Sequence, residues 1–316
     1  MNNNKNGALR RARSGLISGG GRPWGSSQAI ARRLVCNGYW VVLVDNDPRV
    51  QRFADDLRES ATVQAAGGRV HAVVGDLEDP AVAERAVRAC LDNFGTVEFV
   101  VNTAGGSDPT VPTACEPSGP EHFFLLFLKN LITAQNLTKA AVPALKVASG
   151  KRDVVFFSTT NGTPGWAWVG EPALAVAKAG VEALMWCWAA ELRPFGVAVN
   201  CLRPASIPNP HSPTWAARYR DAEFCRGMAA RYREFGPLTA EQVAVETEHL
   251  IDPSAAPRTG EVITLDPPGL GSLGLEDPRS DGKWWLPPLA GTNGRPPVFA
   301  TRILAQVRAF LLGLLS

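Results

Sequence analysis

From Ser14 onward, short apolar runs alternate with stretches in which apolar residues return every three or four positions. The runs at Leu16–Ser18, Tyr39–Val44, Val70–Val74, Val97–Val101, Asp153–Phe157, Val197–Cys201 and Val262–Leu265 have the length and β-branched content of buried strands. Helical spacing between them predicts helices over Gln28–Asn37, with Ile30 and Leu34 on one face, over Val50–Ala66, and over Ala81–Phe94. Glu121–Val147 predicts one long helix, and Ala173–Leu192 another, with Val181, Leu184, Trp188 and Leu192 on its apolar face. Near-continuous apolar strands separated by amphipathic helices imply a parallel sheet covered on both faces. The expected fold is therefore α/β, a doubly wound parallel sheet of seven strands in a single domain.

Two regions break this rhythm. Ser206–Gly236 mixes prolines with aromatics, and Gly271–Pro297 is rich in Pro and Gly around Trp284 and Trp285. At the end of the chain Ile303, Val307, Phe310 and Leu314 form an apolar stripe beside Arg302 and Arg308, too short and too charged to span a bilayer. That stripe suits packing on the domain or on a second subunit. The expected organisation is a flexible lead over 1–13, a domain over 14–269 and a C-terminal extension over 270–316.

Composition narrows the classes. With 316 residues, 45% of them hydrophobic and 20% charged, the chain has material for a sizeable core. A net charge of +2 gives no electrostatic case for nucleic acid. The six cysteines are widely spaced, with no pair at zinc-ligand spacing, so no metal site is expected. Met1–Ser14 is polar and basic without an apolar core segment, which points to reduced thiols in a cytoplasm.

The turn Gly19–Ser27, between the first strand and the first helix, allows close backbone approach to a pyrophosphate at a helix N-terminus. Ser26 and Ser27 add hydroxyl donors. A plain tight turn is the less favoured account of these glycines. Asp45 ends the second strand, where a carboxylate accepts hydrogen bonds from an adenosine ribose and repels a 2′-phosphate, favouring NAD(H) over NADP(H). Arg22 argues the other way, and a solvated loop acid is the plainer account of Asp45.

In order and spacing these segments resemble the short-chain dehydrogenase/reductase family over about residues 14–269. Gly21-x-x-x-Gly25-x-Ser27 parallels that family's glycine turn, and Asp76-Leu77 parallels its adenine-contacting pair. Asn102-Thr103-Ala104-Gly105 resembles Asn-Asn-Ala-Gly, Asn130 matches the helix position that holds a structural water, and Pro204–Ile207 parallels the turn beside the nicotinamide. The resemblance implies a Rossmann-like fold. It also implies a dinucleotide held by Gly21, Gly25, Ser26, Ser27, Asp45, Asp76, Leu77, Asn102, Ala104, Gly105, Lys178, Pro204 and Ile207.

The family's chemistry uses serine, tyrosine and lysine together. Here Thr159 stands at the serine position, with Ser158 as its neighbour if the register slips, and Lys178 is kept. Leu174 stands at the tyrosine position, four residues before Lys178, and cannot donate a proton. Losing a general acid costs about 10²–10⁴ in rate, or about 3–5 kcal/mol of barrier. Simple carbonyl exchange should suffer, whereas reduction of an iminium or of a conjugated system can dispense with a protein acid. Glu171 lies seven residues before Lys178, where enoyl reductases of this fold carry their tyrosine, but it reads as a solvated acid at a helix start. Trp166 and Trp168 suit either a flat ligand or packing, and His211 and Tyr219 lie in the region that covers substrate in the family. Trp186 and Trp188 are assigned to packing, and His71, His122 and His249 are expected to be structural.

Two functions follow. One is an atypical NAD(P)(H)-dependent oxidoreductase for a fairly large apolar or aromatic small molecule, set in secondary metabolism, with Thr159, Lys178 and Asn130 in the active site. The other is a catalytically silent subunit, or a non-redox cyclase or isomerase reusing the pocket. A homo-oligomer is expected, or a hetero-oligomer with an active homologue.

Overall fold

The structure is a computed structural model that describes residues 12–23, 25–112, 115–160, 171–205, 207 and 238–265. All of these belong to the unit Met1–Leu275; Glu276–Ser316 forms a second unit outside them. The C-terminal stripe, His211, Tyr219, Trp166 and Trp168 lie outside the described residues.

Seven parallel strands form one sheet in the order β3-β2-β1-β4-β5-β6-β7. They are β1 Ser14–Ser18, β2 Trp40–Asp45, β3 Arg69–Val74, β4 Phe99–Asn102, β5 Arg152–Phe157, β6 Val197–Pro204 and β7 Val262–Leu265. The order reverses at β1, which pairs with β2 on one side and β4 on the other, with Ser18 opposite both Val44 and Asn102. The doubly wound parallel sheet of seven strands predicted from the apolar runs is the sheet observed, and its strand order is Rossmann-like, as the family resemblance implies.

Alternation along each strand divides the core in two. Leu16, Val100, Val154, Phe156 and Val199 face α4 (Pro80–Phe94), α6 (Thr133–Val147) and α7 (Pro172–Leu192). Ile17, Leu43, Val101, Val155 and Leu202 face the other way, toward α1 (Ser26–Cys36) and α2 (Arg49–Glu59). α7 has the length and apolar composition of a membrane span, but it packs along β6 and β5 and carries Lys178 and Glu182 inside the fold.

Two helical expectations are corrected, and one helix is added. Val50–Ala66 is two helices, α2 and α3 (Ala61–Ala66), because Ser60 is extended between them. Glu121–Val147 contains α5 (Pro120–Phe127), a wide π turn over Leu128–Ile132, and then α6. The helix α8 (Ala240–Ile251) was not predicted at all. Its signals were present: Thr239 accepts from the Gln242 amide while the Gln242 side chain accepts from the Thr239 amide, and Val243, Ala244, Thr247 and Ile251 are buried on one face.

α8 is tied to the amino-terminal edge of the sheet by buried cations. The Arg13 guanidinium donates to the Ile251, Glu98 and Lys151 carbonyls and pairs with Asp153 at 3.0 Å. Lys151 Nζ donates to the Leu250 and Asp252 carbonyls at 2.5 and 2.9 Å. An Asp153→Asn variant strands a buried guanidinium and is expected to lose about 3–5 kcal/mol in chemical denaturation. Arg33→Ala breaks only the partly exposed pairs with Glu241 and Glu248 and should cost less than about 1 kcal/mol. Equal losses in the two variants would contradict this ranking.

Candidate functional site

Where the strand order reverses, the carboxyl ends of the strands diverge into a cleft of about 640 Å³. Its described lining runs from the end of β2 and the turn after β3 to the ends of β5 and β6. At about 4.8 Å per strand gap, that crosses about 24 Å of sheet, enough for a dinucleotide laid across the strands.

The middle of the cleft is backbone. Gly19 (φ 91°) and Gly20 (φ 121°) take conformations that favour glycine, and a Cβ on Gly19 would lie 3.1 Å from Ser27 Oγ. Beyond them α1 starts at Ser26 with extended Gly25 as its cap, no side-chain cap and no acid in its first turn. Uncapped amides and the positive end of a helix dipole suit a pyrophosphate. Gly25, Ser26 and Ser27 line the cleft. Gly21 does not: its amide donates to Asp45 Oδ2 at 2.9 Å and its Cα faces Asp47. Gly19 and Gly20 take the lining positions instead. Three consecutive glycines hid this, because the family spacing counts back from Gly25 to Gly21.

At one end Asp45, Asn46, Asp76, Leu77 and Glu78 form an acidic wall. Asp45 also accepts from the Asp47 amide, and Asp76 accepts from the Glu78 amide and from Asn46 Nδ2. Burial, then repulsion from Asp76, raises the Glu78 carboxyl, and Lys129 opposes the shift. Arg49 is engaged by Asp47, chiefly through hydrogen bonds that hold that carboxyl below its ordinary range. Arg22 is exposed at the rim.

The loop after β4 forms the opposite lip. Ala104 and Gly105 line it, and the Ala104 amide donates to Ser18 Oγ at 2.9 Å. Asn102 sits behind the cleft, donating to Thr138 Oγ1 at 2.9 Å. Asn130, in the π turn, is buried, and its side chain is committed to this loop. Oδ1 accepts from the Gly106 amide at 2.6 Å, while Nδ2 donates to the Gly106 and Leu126 carbonyls. Lys129 donates to the Ser107 carbonyl and pairs with Asp108 at 3.0 Å. Burial raises the Asp108 carboxyl, but the Thr110 and Lys129 donors outweigh it and hold it at about 2.

At the far end Phe157, Ser158, Lys178 and Ile207 line the cleft. Thr159 is half-buried beside it and is not part of the described lining. Pro204 ends β6, and its carbonyl accepts from the Thr160 amide. Ser158 Oγ donates to Glu182 Oε1 at 2.5 Å, and Glu182 is gripped by Arg203 through two bonds of 2.8 Å. Neither Glu182 nor Arg203 was singled out from the sequence. Their pairing spans α7 and β6, so no local signal carried it.

Lys178 is buried and its Nζ donates to the Phe157 carbonyl at 2.9 Å. Burial lowers it to about 8, against a smaller opposing effect of Cys201. One turn earlier, Leu174 is buried with Val111, Leu126, Ala173 and Ala177 in an apolar cluster. It does not line the cleft among the described residues. Glu171 overturns the solvated-acid expectation: it is 6% exposed and has φ 70°, a conformation that costs a non-glycine residue energy. Trp186 and Trp188 pack on the core, donating to the Gly260 carbonyl and to Gln135.

Residues 22–267 match the family model described as enoyl-(acyl carrier protein) reductase. An uncharacterized oxidoreductase of Mycobacterium tuberculosis is 30% identical over 79% of this chain and 89% of its own length. The chain belongs to the short-chain dehydrogenase/reductase family. Oxidoreductase UcpA of Escherichia coli is 28% identical over 59% of this chain, and the match spans 66% of UcpA, just under two thirds. A short-chain type dehydrogenase/reductase from Mycobacterium ulcerans superposes with a TM-score of 0.68 at 27% identity, over 80% of this chain and 88% of that one. This short-chain dehydrogenase/reductase fold implies a nicotinamide dinucleotide. The uncapped α1 start and the glycine turn fit its pyrophosphate.

Two predictions follow from the lip after β4. A Cβ at Gly105 would lie 2.4 Å from Asn130 Oδ1 at φ 127°. Gly105→Ala should therefore cost about 1–3 kcal/mol in denaturation and weaken NADH binding in calorimetry; unchanged values would contradict the packing. Asp108, held low, stabilises the fold above its ordinary carboxylate range, and that contribution is lost as pH falls through about 2. An Asp108→Asn variant should show less acid destabilisation below pH of about 4 than the parent chain, measured by thermal melting.

Proposed function

We propose that this chain is an NAD(H)-dependent oxidoreductase that moves hydride to or from a fairly large apolar or aromatic small molecule, without a catalytic tyrosine. The observation that carries this is the split between Lys178, which remains in the cleft, and Leu174, which is packed among Val111, Leu126 and Ala177. The cofactor, when bound, supplies the hydride. Lys178 and the backbone of the loop after β4 would hold and orient it, and Thr159 or Ser158 would orient the reacting group. Leu125, Phe157 and Ile207 supply apolar lining.

A conjugated double bond is the favoured acceptor. Hydride added to it leaves a delocalised anion that takes its proton later, so the missing phenol costs least there. The match to a family model described as enoyl reductase supports this choice. We place the protein in the cytoplasm, in secondary metabolism, as a homo-oligomer. Exposed Phe124, Leu128 and Val176 on α5, the π turn and α7 support an apolar contact between copies. Leu174 also supports a second, less favoured reading: a silent partner subunit of an active homologue, or a cyclase or isomerase that keeps the dinucleotide as structure.

The acidic wall of Asp45, Asp76 and Glu78 disfavours a 2′-phosphate, Arg49 is already engaged by Asp47, and Arg22, exposed at the rim, argues the other way. Calorimetry should show NADH binding at least about tenfold more tightly than NADPH, with Asp45→Ala narrowing the gap. Equal or tighter NADPH binding would overturn the preference, and binding of neither would overturn the oxidoreductase.

A further inference from the structure

The cleft holds a buried cation with too few partners. Three N–H donors of Lys178 meet one acceptor, the Phe157 carbonyl, and among the described residues no carboxylate pairs with it. A buried ammonium without a counter-ion is costly, so such a group either finds acceptors in a ligand or gives up its proton. Around it, each other titratable group is occupied. Cys201 on β6 is a neutral thiol, pushed up to about 12 by burial. Glu182, one turn along α7, is taken by Ser158 and by Arg203 Nε and Nη2. The tyrosine position contributes no hydroxyl, because Leu174 is in its apolar cluster. Glu171 is buried but does not line the cleft among the described residues.

We propose that Lys178 is itself the proton-transferring group of this site, a catalytic residue rather than only a clamp on the cofactor. This rests on the nicotinamide reading above. In the reducing direction a hydride forms a bond to the carbon of an acceptor C=O or C=C–C=O, and the π electron pair moves to oxygen. The Nζ–H bond of Lys178 then breaks, its proton goes to that oxygen, and its electron pair stays on nitrogen as an amine. Water reprotonates the amine. The donor nicotinamide loses two electrons and the substrate gains them, so the step balances with one hydride and one proton. A group that works this way needs both protonation states near working pH, and burial of Lys178, which brings it down to about 8, supplies them.

The test uses the full chain with NADH. In lysine-labelled protein, ¹⁵N NMR of Nζ, assigned by its loss in Lys178→Arg, should titrate with a midpoint near 8. A midpoint of about 10 or above, the ordinary lysine value, overturns the proposal whatever NADH does. Absence of NADH binding by the parent chain would instead overturn the cofactor reading, so the two failures are distinguishable. Arginine keeps the charge and donors but does not release its proton. With phenanthrenequinone as a flat dicarbonyl probe and NADH held above each variant's own Kd, Lys178→Arg should lose about 10²–10⁴ in turnover and with it the pH limb near 8 seen in the parent chain. Retained turnover in Lys178→Arg, or a matching loss in Glu171→Gln alone, overturns the assignment.

Discussion

A parallel sheet whose strand order reverses must leave a crevice at the reversal, because the chains leaving the two adjacent strands go to opposite faces. Here the reversal falls between β1 and β4, and the rest of the site is arranged around it. The chain leaving β1 turns through Gly19 and Gly20 into an uncapped α1, and the chain leaving β4 is held open by Asn130. The Asn130 anchor is long-range. It requires a π turn in the middle of what is otherwise a helix, which rotates Asn130 toward Gly106 and lets its amide serve both backbone groups of that residue. Such widened turns are costly and recur where function fixes a side chain.

The end of β5 is clamped as firmly. Ser158 and Thr160 donate backbone bonds to β6, Lys178 reaches the Phe157 carbonyl, and the buried Glu182–Arg203 pair holds the Ser158 hydroxyl. A buried ion pair is weak evidence of stability but strong evidence of register, since breaking one side leaves the other uncompensated. Together these bonds fix where α7 sits along β5 and β6. They therefore fix where Lys178 enters the cleft. Leu174, one turn before Lys178, is packed with Val111, Leu126, Ala173 and Ala177.

Strands were legible because a parallel sheet buried on both faces needs long apolar runs, and Val97–Val101 or Asp153–Phe157 have no other plausible use. The glycine turn, Asp45, Asp76, Leu77 and Lys178 were legible as a pattern, and they meet in one cleft. What was not legible depends on contacts far apart in sequence. The lining role of Gly19 and Gly20 depends on backbone angles, not residue type. The break at Ser60 and the π turn at Asn130 are set by tertiary packing against helical propensity. Periodicity does not report the burial of Glu171 or its φ of 70° at the start of α7. The helix α8 was missed for a different reason. Its capping box was readable, but it follows the irregular Ser206–Gly236 segment and its apolar face is narrow.

The central claim is that the reversal cleft holds a nicotinamide dinucleotide with its ribose at Lys178 although Leu174, one turn before it, is packed in an apolar cluster. A crystal structure of the chain grown with NADH tests this most directly. The account predicts pyrophosphate density at the start of α1, adenosine hydroxyls on Asp45, and a ribose oxygen within about 3 Å of Lys178 Nζ. A dinucleotide bound elsewhere, or one whose nicotinamide ribose leaves Lys178 with Phe157 as its only partner, would contradict it.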